Sequence, residues 1–263
     1  MITAGIDMGA KNIKVVIVRD DDVVGRALVA GGFDAAMIAQ EAMEQALKQA
    51  GCRRAEVARV MATGAGRDEA ADTDGTITEV GAVARGAVHL YPDVRTVVDV
   101  GAEEGRAIRC DERGKVVDFA INEKCAAGAG AFTEAMARAL EVPLEQLGPL
   151  SLQSTKAIPL NAQCTVFAES EVVSMIHSNV AKADMARAVH DAMASRIVSL
   201  VRKVGYNPPV ALVGGLARNV GFVDALKRGL ELDTLNIPQT PEYCAALGAA
   251  LAAADHAKAN GQE

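Results

Sequence analysis

The chain has 263 residues, half of them hydrophobic, with a net charge of −7, only 3% aromatic residues and no Trp. That is enough apolar material for one large core or two ordinary lobes, and it argues against disorder and against nucleic-acid binding, which needs stacking aromatics or clustered Lys and Arg. No run is long enough to span a bilayer, and MITAGIDMGAKNIKVVIV lacks the basic stretch and apolar core of a secretion signal, so a cytoplasmic protein without membrane partners is expected.

In chain order, residues 2–8 and 13–18 read as strands around the turn GAKN, a hairpin that opens a domain. AAMIAQEAMEQALKQAG has helical spacing and stops at Gly51, where a left-handed helix end is easily made. VARVMATGAGR follows as a strand ending in glycines. From Arg95 the pattern restarts: RTVVDVGAEEGRAIRC is again strand, Gly turn and strand, and KVVDFAIN is a third strand. Asp7-Met8-Gly9 and Asp99-Val100-Gly101 are the matching positions. The economical reading is α/β, two similar lobes with a cleft between them. The first covers residues 1–90 and is completed by part of the C-terminal helix region; the second covers 91–263. Helices are expected near 128–141, 166–178 and 184–204, then PPVALVGGLARN as a buried strand, a Gly-Gly turn and a helix. TLNIPQTPEYCAALGAALAAADHA reads as a short strand, a Pro-marked helix start and an Ala-rich helix.

The two Asp-Gly turns are the first candidate site. Glycine lets backbone N–H groups face phosphate oxygens, and Asp7 and Asp99 can hold Mg²⁺ through water and orient a nucleophile for phosphoryl transfer. Gly9, Ala10, Lys11, Asn12 and Lys14 belong to the first turn, Gly101 and Ala102 to the second; Gly214, Gly215 and Asn219 form a later strand–Gly–helix junction of the kind that binds anions. The bland reading of each turn is an ordinary hairpin whose Asp satisfies turn amides. No P-loop motif is present.

GIDMGAKNIK, VVDVGAEEG, LVGGLARN and ALGAAL resemble, in order, the two phosphate segments, the adenosine segment and the interlobe helix of the actin, sugar kinase and Hsp70 ATPase superfamily. That resemblance implies a duplicated ribonuclease H-like fold binding ATP/ADP and Mg²⁺.

Five cysteines, an odd number and widely spaced, do not read as a disulfide framework. Cys125, in NEKCAAGAGAF, and Cys164, in NAQCTVFAESEV, each precede an expected helix, where the positive helix end favours a thiolate. The alternative is two small buried hydrophobes. Two thiolates do not complete a four-cysteine shell, but two copies about an axis do. Both segments look very much like the cysteine segments of the BadF/BadG/BcrA/BcrD/HgdC-type ATPases, the activators of 2-hydroxyacyl-CoA dehydratases and the ATPase subunits of benzoyl-CoA reductases. The similarity extends through ATGAGR, EVPLEQLG and ASRIVSLVRKVG. It implies Cys125 and Cys164 as ligands of one [4Fe–4S] cluster shared by two chains and fed by ferredoxin.

Within that resemblance the dehydratase activators carry Gly-Gly-Gln-Asp after the second Asp, whereas this chain has Gly101-Ala102-Glu103-Glu104-Gly105-Arg106. The AEEGR turn looks more like the smaller, D-type ATPase chain of benzoyl-CoA reductase, which pairs with a longer homologous ATPase subunit and serves separate catalytic subunits. The expectation drawn is that reductase role, with a homodimeric dehydratase activator as the alternative and a cluster-free sugar or acetate kinase as a further one. Glu103 or Glu104 is then left to position water or metal, with Glu103 taken as the catalytic choice and a solvated acidic turn as the alternative. Glu169 and Glu171 are placed near the cluster, at an interface or on an exposed helix face. His89, His177, His190 and His256 show no ligand or triad spacing, and Cys52, Cys110 and Cys244 are read as structural.

Overall fold

The computed structural model describes residues 1–122, 130–161, 164–259 and 261, which divide into two compact units. The first comprises Met1–Val97, Cys110–Val117 and Glu242–Glu263; the second comprises Val98–Arg109 and Asp118–Pro241. Among the described residues no helix is long and apolar enough to cross a membrane.

The first unit is built on a five-stranded sheet of order β3-β2-β1-β4-β5. Its strands are β1 (Ile2–Met8), β2 (Asn12–Arg19), β3 (Asp22–Ala30), β4 (Arg59–Thr63) and β5 (Gly75–Thr76). β1 runs antiparallel to β2 and parallel to β4. Helix α1 (Ala35–Ala50) starts where the Asp34 side chain accepts from Met37 N and ends at Gly51 with φ 62°, as its sequence requires. On β2 the side chains alternate: Ile13, Val15 and Ile17 cluster with Ala39, Ala42, Met43, Ala46 and Leu47 of α1. Val16 and Val18 instead cluster with Ala246, Leu247, Ala250 and Leu251 of the last helix, Cys244–Ala259. Burial on both faces explains why the strand reads as a continuous apolar run.

The Ala-rich face of that last helix approaches backbone rather than side chains. A Cβ on Gly5 would lie 2.0 Å from Ala246 O, and one on Gly248 would lie 1.7 Å from Ala82 O in helix α2 (Glu79–Leu90). Gly248→Ala is expected to lower stability by about 2–3 kcal/mol, since the overlap is with a backbone carbonyl that cannot rotate away. Thermal unfolding should show Tm about 5–10 °C lower; an unchanged Tm would contradict this helix contact.

The second unit holds a four-stranded sheet of order β8-β7-β6-β9, the same order as β3-β2-β1-β4. Its strands are β6 (Thr96–Val100), β7 (Gly105–Cys110), β8 (Val116–Ile121) and β9 (Val210–Val213). Among the described residues it also carries the helices α3 (Gly130–Ala139), α4 (Leu144–Ser151), α5 (Thr165–His177), α6 (Lys182–Val204) and α7 (Val220–Leu230). The Cys244–Ala259 helix is therefore α8. Phe132, Met136, Leu147, Met193, Ile197, Leu212 and Phe222 are fully buried in one cluster.

The sequence pattern hid β3, β5, α2 and α4. β3 begins in an Asp run and contains Gly25, both turn signals, yet a Cβ on Gly25 would lie 2.4 Å from Ala46 O, so that glycine serves the packing of α1. Helix α2 carries Gly81 and Gly86, which lower intrinsic helicity, but Gly86 allows close approach to Cys244 O. Helix α4, with Pro149 inside it, is equally absent from the apolar periodicity. Conversely the strand expected at TLNI reduces to one bridge, Ala211↔Asn236, because Pro238, two residues on, has no N–H with which to extend the ladder.

Candidate functional site

In the first unit Asp7 lies near the end of β1, in register with Lys14 on β2 and Thr63 on β4. Lys14 Nζ donates to Asp7 Oδ2 at 2.9 Å, and both side chains are largely buried. Burying a carboxylate without a partner is costly, so the cation belongs to the site's stability as well as its chemistry. Gly9 keeps room for that lysine: a Cβ there would sit 2.8 Å from Nζ. Ala10 and Lys11 are exposed in the turn, and Asn12 begins β2 half-buried.

The second unit repeats the arrangement. Asp99, 7% exposed, accepts from Arg106 Nη1 at 2.9 Å, and the spacing of seven residues is that of Asp7 and Lys14. Arg106 Nη2 donates to Glu104 Oε2 at 2.6 Å, while Gly101 N donates to Glu104 O at 2.9 Å and closes the turn. Glu103, by contrast, is exposed.

Each Asp turn also meets a glycine that follows the neighbouring strand. Gly214, after β9, has φ 85°, and a Cβ on it would lie 2.4 Å from Val100 O and 2.6 Å from Asp99 Oδ1. Gly64, after β4, has φ 97°, and its Cβ would meet the Met8 backbone at 2.6 Å. Only glycine fits such positions without strain. Gly215 opens a 3₁₀ turn, Gly215–Arg218, with open space around its Cα. Asn219 caps α7, its Oδ1 accepting from Gly221 N and Phe222 N. Sequence reasoning missed Gly64 and Arg106, although both were signalled: Gly64 by ATG matching LVG in the repeat, Arg106 by its offset of seven from Asp99.

The Asp99 turn is hydrogen-bonded to the start of α3. The first N–H groups of a helix need outside acceptors, and here Gly130 N donates to Gly101 O at 2.9 Å and Ala131 N to Ala102 O at 2.8 Å. Cys125 belongs to residues 123–129, which lie outside the described residues. Cys164 is the N-cap of α5, half-exposed, with no side-chain capping bond. It is a free cysteine at the positive end of a 13-residue helix, a position that fits a metal-thiolate role.

The chain leading to Cys164 is tied down at two points. Asp184 Oδ1 accepts from Ser154 Oγ, Thr155 N and Lys156 N, and these bonds, Ser154 first, hold its carboxyl below the usual range. Glu171 of α5 reaches back to Asn161 N at 2.7 Å. Cys110 is buried, and burial pushes its thiol up to about 11, so it stays protonated at neutral pH; Cys244 is also buried, its Sγ donating to Val83 O. His190 is a core histidine, bonded through Nδ1 to Ala186 O and pushed down by burial.

The same order of four strands occurs twice, each time with an Asp, a cation seven residues on and a facing glycine. Residues 4–253 match the BadF/BadG/BcrA/BcrD ATPase family. The chain belongs to this family. It is 38% identical to the activator of lactoyl-CoA dehydratase from Anaerotignum propionicum, over 98% of this chain and 99% of that one. It is 35% identical to the D-type chain of benzoyl-CoA reductase from Thauera aromatica, over 95% and 92% of the two chains. The solved activator of 2-hydroxyisocaproyl-CoA dehydratase from Clostridium difficile, with bound ADPNP, superposes with a TM-score of 0.91 at 35% identity, covering 100% of this chain and 97% of that one. The fold of this family member is thus the actin, sugar kinase and Hsp70-like ATPase fold.

Proposed function

We propose that this ATPase couples ATP hydrolysis to the delivery of low-potential electrons to a partner enzyme acting on a CoA thioester, and that the partner is a 2-hydroxyacyl-CoA dehydratase. The observation that carries the reading is Cys164: a free, half-exposed cysteine at the N-cap position of a helix on an ATPase scaffold, where a sugar kinase needs none. The sequence alone favoured benzoyl-CoA reductase through the AEEGR turn. Full-length identity to dehydratase activators is equal or higher, and the weight moves to them.

In this reading Asp7 and Asp99 take the phosphate and Mg²⁺ end of ATP, with Gly9, Ala10, Lys11, Asn12, Gly101 and Ala102 supplying backbone and side-chain donors. Lys14 neutralises phosphate charge, Gly214, Gly215 and Asn219 take the adenosine end, and Glu103 orients the attacking water. Cys125 and Cys164, with the same pair from a second chain, hold a [4Fe–4S] cluster. When bound, Mg²⁺ would neutralise phosphate charge, and the cluster would supply low-potential one-electron transfer between a ferredoxin donor and the partner enzyme. The hydrogen bonds from Gly130 and Ala131 to the Asp99 turn give the chain a direct backbone link from the ATP-binding turn to the α3 segment that follows Cys125.

Benzoyl-CoA reductase remains a second reading because Glu103 and Glu104 stand where the activators carry Gln-Asp, and Glu104 is ion-paired with Arg106. Anaerobic purification separates the readings. A chain that forms a brown dimer by itself, hydrolyses ATP and activates a dehydratase component meets the first. A need for a longer homologous ATPase subunit and benzoyl-CoA reductase subunits meets the second. Colourless protein that hydrolyses ATP would leave a cluster-free kinase.

A further inference from the structure

The two Asp turns are not equivalent in how their cations are held. In the first, Lys14 approaches Asp7 through a single ammonium on a flexible stem. In the second, the planar guanidinium of Arg106 spans the turn, with Nη1 on Asp99 before it at 2.9 Å and Nη2 on Glu104 after it at 2.6 Å. The Arg106 and Asp99 side chains are each 10% exposed, whereas Glu104 is 42% exposed. A rigid fork anchored at both ends restrains the carboxylate it grips more closely than a point charge does. The turn is also closed by Gly101 N to Glu104 O, so Asp99, the turn backbone and Glu104 form one braced unit.

We propose that Arg106 is a positioning residue for ATP hydrolysis, fixing the Asp99 carboxylate toward the reacting phosphate, and that Glu104 is the outer anchor that keeps Arg106 in place. The inference rests on the ATPase reading and deepens it. Its consequence is specific to turnover: Arg106 acts through Asp99, so its loss lowers kcat and leaves ATP affinity nearly intact.

The test uses the anaerobically purified chain with Mg²⁺ and ATP, measuring steady-state turnover, ATP binding by titration calorimetry and Tm. Arg106→Met is expected to lower kcat by about 10- to 100-fold, the scale on which a displaced catalytic group loses rate, with ATP Kd within about threefold of wild type. Arg106→Lys restores charge without the fork and falls between. Glu104→Gln, at a half-exposed site, lowers kcat by a smaller factor with Tm unchanged. In an Asp99→Asn background, Arg106→Met adds no further loss, because the two act as one unit.

Additive losses in that double variant, or wild-type kcat in Arg106→Met, overturn the inference. If Arg106→Met does not fold, wild-type kcat in both Arg106→Lys and Glu104→Gln overturns it instead. A wild-type chain that binds and hydrolyses no ATP overturns the ATPase reading itself and the inference with it.

Discussion

Asp99→Asn is expected to lower ATP turnover by roughly 10²–10³-fold while the protein stays folded, the scale of losing one preorganised charge at a reacting centre. The substitution keeps the shape of the side chain, so the 2.9 Å approach of Arg106 and the close contact with Gly214 are retained sterically. What is lost is the negative charge assigned to Mg²⁺-bound water and to the nucleophile. Turnover should be measured under anaerobic conditions beside circular dichroism and ATP binding. Retained binding with lost turnover fits a catalytic carboxylate. Full turnover would return Asp99 to the role of an ordinary turn residue.

Removing the Cys164 thiol should have the largest effect on metal content. Cys164→Ala is expected to take iron from about four per pair of chains to near zero, since a [4Fe–4S] cluster needs four thiolates and loses two with this change. Ala is tolerated at the site because the Cys164 side chain makes no capping bond and is half-exposed. ATP hydrolysis by the variant should persist, and electron delivery to a partner should cease. Cys125→Ala should behave alike, whereas Cys110→Ala, at a buried protonated thiol, should keep its iron. Iron, sulfide and EPR measurements on anaerobically purified protein decide this. Undiminished iron in Cys164→Ala would remove the residue from the ligand set and favour the cluster-free kinase.

Much of the scaffold was legible because its signals are local. The β1 and β2 pattern, the Gly51 stop of α1, and the restart at Asp99 all lie within a few residues of the structure they specify. Glu104 and Glu103, adjacent in sequence, show where that legibility stops. Both read as acids beside a Gly turn, yet one bridges to Arg106 and the other faces solvent.

The sequence by itself determined the duplicated Asp–Gly hairpins, the helix-capping position of Cys164 and the resemblance to the ATPase family. Each follows from short-range periodicity, turn chemistry or motif order. Only the tertiary structure decided that Arg106 pairs with Asp99 and that Gly64 is the counterpart of Gly214. Those depend on which strands become neighbours and on backbones that come so close across long stretches of chain that a Cβ would lie 2–3 Å from the facing atoms, which no local pattern records.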